Sequence, residues 1–62
     1  MTESPDERIR KLRHDLANPL SALLAETQLM LMNPDSYDQE TLESLQEIEK
    51  LSRRMRDILH QV

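Results

Sequence analysis

The chain has no glycine, cysteine, phenylalanine or tryptophan, and one tyrosine among its 62 residues. Without glycine, the usual supplier of tight turns and strand bulges, it reads as nearly all helical. The same absence excludes a glycine-rich loop that cradles phosphates, so no nucleotide site of that kind is encoded. Without cysteine there is no disulfide and no plausible zinc cluster. Any core is therefore built from Leu, Ile, Met and Val. A domain this small seldom gains more than about 3–5 kcal/mol from its own core, which leaves oligomerisation as the way to bury enough surface. No apolar run approaches the ~20 residues of a membrane span. The net charge of −4 argues against a general nucleic-acid role. The polar start Met1-Thr2-Glu3-Ser4 is unlike a secretory signal, so the expected compartment is the cytoplasm.

What is present is helical punctuation. Ser4-Pro5-Asp6-Glu7 carries a capping serine, a proline suited to the first helical position and the glutamate of a capping box. Asp6 and Glu7 can each pair one turn on, with Arg10 and Lys11. The first helix is expected over about 5–32. Asn33-Pro34-Asp35-Ser36 ends it, because proline disfavours helical geometry at the preceding residue. A loop over about 33–37 leads to a second helix over about 38–61, capped by Ser36 or Asp38. So short a connection makes the two helices antiparallel neighbours.

At about 100° per residue, Ile9, Leu12, Leu16, Leu20 and Leu23 form one stripe. Thr27 interrupts it, with a hydroxyl able to bond the Leu23 carbonyl. Leu29-Met30-Leu31-Met32 is apolar nearly all round, as in a bundle core. In the second helix Leu45, Ile48, Met55, Leu59 and Val62 take heptad-type positions, widened by Leu42, Leu51 and Ile58. Folding at the loop pairs Ile9 with Val62, Leu12 with Leu59, Leu16 with Met55, Leu20 with Leu51 and Leu23 with Ile48. The expected fold is all-α, one domain over 1–62: an antiparallel two-helix hairpin that homodimerises into a four-helix bundle.

Charge is graded along this hairpin. Residues 35–49 hold six acids and no base, while Arg8, Arg10, Lys11 and Arg13 lie at the opposite end. Acids at a helix start and bases at its end suit the helix dipole. A positive collar around His14 would also favour an incoming anionic group.

The most informative stretch is Arg13-His14-Asp15-Leu16-Ala17-Asn18-Pro19-Leu20. Pro19 sits inside the first helix, where a proline removes a donor and costs roughly 3 kcal/mol. On the wheel His14 lies roughly 150° from the middle of the apolar stripe, with Asn18 one turn on. An imidazole in water titrates near ~6.5, so it is largely neutral at cytoplasmic pH and offers a nucleophilic lone pair. A neighbouring carboxylate such as Asp15 can hold the other ring nitrogen and stabilise developing positive charge. His60 has no such company and reads as a cation at a helix end. A His14–His60 metal site lacks further ligands, so no metal is expected.

His14, Asp15, Asn18, Pro19 and Leu20 match, position for position, the H-box of sensor histidine kinases: His-Asp/Glu-x-x-Asn/Thr-Pro and an apolar residue. The whole chain resembles their dimerisation and histidine-phosphotransfer domain. The resemblance implies that His14 is the phosphoacceptor and Asp15 the base. It implies that Asn18 positions the phosphoryl group or a water. Pro19, by its missing donor, frees the Asp15 carbonyl and is expected to let the helix bend just below His14. The resemblance further implies a receiver docking near Ser21, Ala22 and Ala25. No cofactor is expected in this chain; ATP and Mg would belong to a separate catalytic domain, acting in cis or in trans. The group would pass to an aspartate of a response-regulator receiver. A standalone phosphorelay intermediate and a structural hairpin with a silent H-box are the alternatives.

Overall fold

The structure, a computed structural model, describes residues 4–62; the polar start Met1-Thr2-Glu3 lies outside them. Two helices, α1 (Pro5–Leu31) and α2 (Gln39–His60), are joined through a single 3-10 turn, Pro34–Ser36. They pack side by side as an antiparallel hairpin 53 × 15 × 13 Å in extent. A helix with its side chains is about 10–12 Å across, so the hairpin is one helix thick and has no enclosed interior.

Local chemistry accounts for each boundary. Ser4 is extended, and its hydroxyl accepts a hydrogen bond from the Glu7 N–H at 3.2 Å. Asn33, held before Pro34, sits at φ −121° and ψ 64°, outside helical geometry. Asp38 caps α2, accepting from the Thr41 N–H at 2.7 Å. The turn needs no glycine. Ser36 N–H donates to the Asn33 carbonyl at 3.0 Å and Tyr37 N–H to that of Pro34 at 3.3 Å, and no described residue has positive φ.

Burial divides each helix into two heptad rows. The inner row of α1 is Arg13, Ala17, Leu20, Leu24, Thr27 and Leu31, alternating steps of four and three; all six are buried or half-buried. Its counterpart on α2 is Leu42, Leu45, Glu49, Ser52, Arg56 and Leu59, stepping three and four. Steps averaging 3.5 residues keep one line of side chains against a neighbouring helix. Thr27, only 4% exposed, satisfies its hydroxyl on the Leu23 carbonyl at 2.8 Å, and Ser52 is 2% exposed.

This corrects the expected pairing in one respect. Leu16 and Met55 do share one hollow, and Ile9 and Val62 another. But Ile9, Leu12, Leu16, Leu23, Ile48, Leu51, Met55 and Val62 are exposed, so they are not the hairpin's own core. They belong to an open row, completed by Pro19, Glu26 and Met30 on α1 and by Thr41, Ser44 and Ile58 on α2. One wheel stripe of about 100° was too coarse to separate two rows a single residue apart. The Leu29–Met32 run is split too: Leu31 is half-buried, whereas Leu29, Met30 and Met32 are exposed.

The rows have opposite polarity gradients. The inner row is leucine-rich toward the loop and carries Arg13, Glu49, Ser52 and Arg56 away from it. The open row is apolar from Ile9 to Leu23 and from Ile48 to Val62, then turns polar at Glu26, Thr41 and Ser44.

The Asp38 cap yields a pH dependence. The Thr41 hydroxyl and N–H favour the ionised carboxyl and hold its pKa below the ordinary 3.8. A lowered folded-state pKa contributes stability that is present above the unfolded value and lost as pH falls through the folded one. Asp38→Ala is therefore expected to lower the melting temperature at pH 7, with the difference shrinking as the pH falls below the ordinary carboxylate value of 3.8. Paired thermal melts by circular dichroism across pH 2–7 check this; a pH-independent difference would contradict the cap.

Candidate functional site

The first helix has a third face, turned away from both rows. His14 and Asn18, four residues apart, differ by about 40° in direction and share that face. The His14 and Asp15 side chains are 75% and 61% exposed, and Asn18, Ser21, Ala22 and Ala25 are exposed as well. Nδ1 of His14 stands 3.8 Å from Oδ1 of Asp15, outside hydrogen-bond range but within reach of a small side-chain rotation. The nitrogen turned to the carboxylate is thus Nδ1, leaving Nε2 toward solvent.

Pro19 stands apart from this group. Five residues from His14, it is about 140° away in direction. With Leu16, Leu20, Leu23, Met55, Ile58 and Leu59 it lines an apolar hollow of about 360 Å³ on the open side of the hairpin. The helix runs unbroken through it. The histidine faces water while the helix defect one turn below faces the apolar hollow.

The bases near His14 differ in their engagements. The Arg13 guanidinium donates to the Val62 carbonyl, the one side-chain hydrogen bond among the described residues that joins the two arms. It falls where helix-end carbonyls lack intrahelical donors. Arg53 pairs with Glu49 at 3.4 Å and Arg56 approaches Asp57 at 3.7 Å. The anticipated pairs of Asp6 with Arg10 and Glu7 with Lys11 do not form. Exposed pairs gain only about 0–1 kcal/mol against side-chain entropy, so their absence is unremarkable energetically. Among the described residues no group of His, Asp and Glu is placed to hold a metal ion. None of the described helices is long and apolar enough to cross a membrane.

This arrangement coincides with a known family. The description His Kinase A (phospho-acceptor) domain, HisKA, matches residues 6–62. The chain belongs to the HisKA family. HisKA domains are phosphoacceptor and dimerisation modules of histidine kinases in two-component signalling, and they work with kinase catalytic and receiver partners. No curated protein and no solved structure matches this HisKA domain.

Pro19 can be tested by substitution. Alanine would restore a backbone donor for the Asp15 carbonyl and relieve the ring's clash with it. Pro19→Ala is expected to stabilise the domain by about 1–3 kcal/mol, read as a higher urea midpoint at unchanged slope. A lower midpoint would mean that the ring's packing in the hollow outweighs its backbone defect.

Proposed function

We propose that His14 is the phosphoacceptor of a sensor histidine kinase, charged from ATP by a separate catalytic domain and discharged to an aspartate of a response-regulator receiver. The observation that carries this is the exposed His14 imidazole, its Nδ1 facing the Asp15 carboxylate and its Nε2 free. Nε2 attacks the γ-phosphorus in line, the N–P bond forms, and the bond to the ADP oxygen breaks. Positive charge develops on the ring and is stabilised at Nδ1 by Asp15, which accepts that proton. In the second transfer a receiver carboxylate attacks the same phosphorus, the N–P electron pair returns to Nε2, and Nδ1 takes a proton back from Asp15, so the ring leaves as neutral imidazole. Asn18, one turn along, offers an amide to the phosphoryl oxygens or to a water. ATP and Mg belong to the catalytic domain, in the cytoplasm where ATP is available. Pro19 provides a point at which α1 bends as His14 meets first one partner and then the other.

The working unit in this reading is a homodimer. The open row supports a second copy: half-burying a large aliphatic side chain stabilises by about 1 kcal/mol. The row's ten large apolar side chains are together comparable with the whole stability of a small domain, about 5–15 kcal/mol. Two hairpins with these rows facing make a four-helix bundle with both rows covered and His14 outside.

Two measurements test the reading. Incubation with labelled ATP and a histidine-kinase catalytic domain should give acid-labile label on the wild type and none on His14→Gln; label retained by the variant would assign the chemistry elsewhere. Sedimentation should give twice the chain mass for the wild type. Leu23→Glu, which puts a charge in the apolar part of the open row, should shift it to the monomer. Equal masses for the two would remove the dimer.

A further inference from the structure

On both helices each inner-row residue is preceded by an open-row residue, and the two open rows share the apolar hollow. In an antiparallel pair, the residues that follow the inner rows therefore share the opposite, back side of the hairpin. On α1 these include His14, after Arg13, and Asn18, after Ala17. On α2 they include Asp57, after Arg56, and His60, after Leu59. Height along the rod is set by the Arg13 guanidinium, which reaches the Val62 carbonyl, and by Leu59, which shares the hollow with Leu16 and Leu20. His14 follows Arg13 by one residue toward the loop, and His60 precedes Val62 by two, also toward the loop. At 1.5 Å per residue the two imidazoles are level to well within one helical turn. Both are exposed. The chain's two histidines thus look out from the same side and the same end of the hairpin.

We propose that His60 is a second imidazole of the phosphoryl site, its ring N–H donating to an oxygen of the phosphoryl group carried on Nε2 of His14. This rests on the phosphotransfer reading above. Asp15 stands two positions past Arg13, about 200° round from the inner row, so it points away from α2. It faces Nδ1 of His14, and the ring edge opposite Nδ1 carries Nε2. The nucleophilic nitrogen is thereby on the α2 side of the ring. Packed helices stand about 8–10 Å apart, which separates the two bare imidazoles. A phosphoryl group added to Nε2 fills part of that gap and carries its oxygens toward His60. A hydrogen bond from a ring N–H to such an oxygen is charge-assisted. The anionic group also favours the protonated form of an imidazole beside it. The other charged groups around His60 are Lys11, Arg13 and Asp15 on α1, and Arg56 and Asp57 on α2, the last two 3.7 Å from each other. Carboxylates, Lys and Arg ordinarily titrate outside pH 6–9, which leaves the imidazoles as the groups that change there. A cation in the last turn of α2 also suits the helix dipole, but that contribution does not depend on whether His14 carries a phosphoryl group.

The test is the equilibrium constant for phosphorylation of His14 by ATP, approached from both directions with a histidine-kinase catalytic domain at fixed ratios of ATP to ADP. That constant is indifferent to how the catalytic domain docks. It reports only how much better His60 interacts with the phosphorylated chain than with the free one. His60→Ala removes the ring, His60→Lys keeps a cation, and circular dichroism confirms the fold of each. The constant is expected to be about fivefold lower for His60→Ala than for the wild type at pH 6, the upper end for an exposed ion pair. His60→Lys should hold most of the wild-type value, and the wild type's advantage over alanine should be lost as the pH rises to 9. An unchanged constant in His60→Ala, or a change confined to the labelling rates, overturns the contact while leaving His14 as the phosphoacceptor. A loss equal at every pH overturns it too, because a donor drawn to the phosphoryl charge must follow the protonation of its ring. A wild type that takes no label overturns the phosphotransfer reading and the contact with it.

Discussion

A helix that presents two adjacent heptad rows needs two neighbours, and a hairpin supplies one. Everything else in this molecule depends on that shortfall. The inner rows meet within the chain, with Leu20, Leu24 and Leu45 buried. The open rows lie beside that seam, only partly covered by it, and they hold most of the large apolar side chains. In a rod one helix thick, no rearrangement of the same two helices could cover both rows at once.

The opposite gradients of the two rows divide the work along the rod. Near the loop, leucines of the inner row hold α1 and α2 together. Near His14 the inner row is largely small or charged, at Arg13, Ala17, Ser52 and Arg56, and the apolar side chains lie on the open row instead. Arg13, donating to the Val62 carbonyl, is a polar tie between the two helices at that end, beside the half-buried Leu59.

Much of the site was legible because it is local. His14, Asp15 and Asn18 lie within a turn and a half, so helical periodicity alone relates them, and their exposure follows from that periodicity. The capping residues Ser4 and Asp38 were legible for the same reason: a cap is a contact between residues three apart. The pairing of apolar levels across the hairpin was only partly legible. Folding the apolar pattern at the loop says that Leu16 and Met55 stand at similar heights, but it does not say whether they face each other or face outward together. The run Leu29–Met32 was read as core, and three of its four residues are outside the hairpin's packing. Hydropathy registers that a side chain is apolar, not which of several neighbours covers it.

Sequence alone determined the helices, their ends, the glycine-free turn and the H-box face, since each rests on interactions spanning no more than a few residues. Tertiary structure decided which of two rows, one residue apart, closes against the other helix. It also decided that Pro19 opens onto the apolar hollow and away from the histidine's face, and that Leu29 and Met32 stay outside both rows. The physical reason is rotation about the helix axis. A turn of about 100° exchanges one row for the next without altering a single local contact, so only packing between helices can choose.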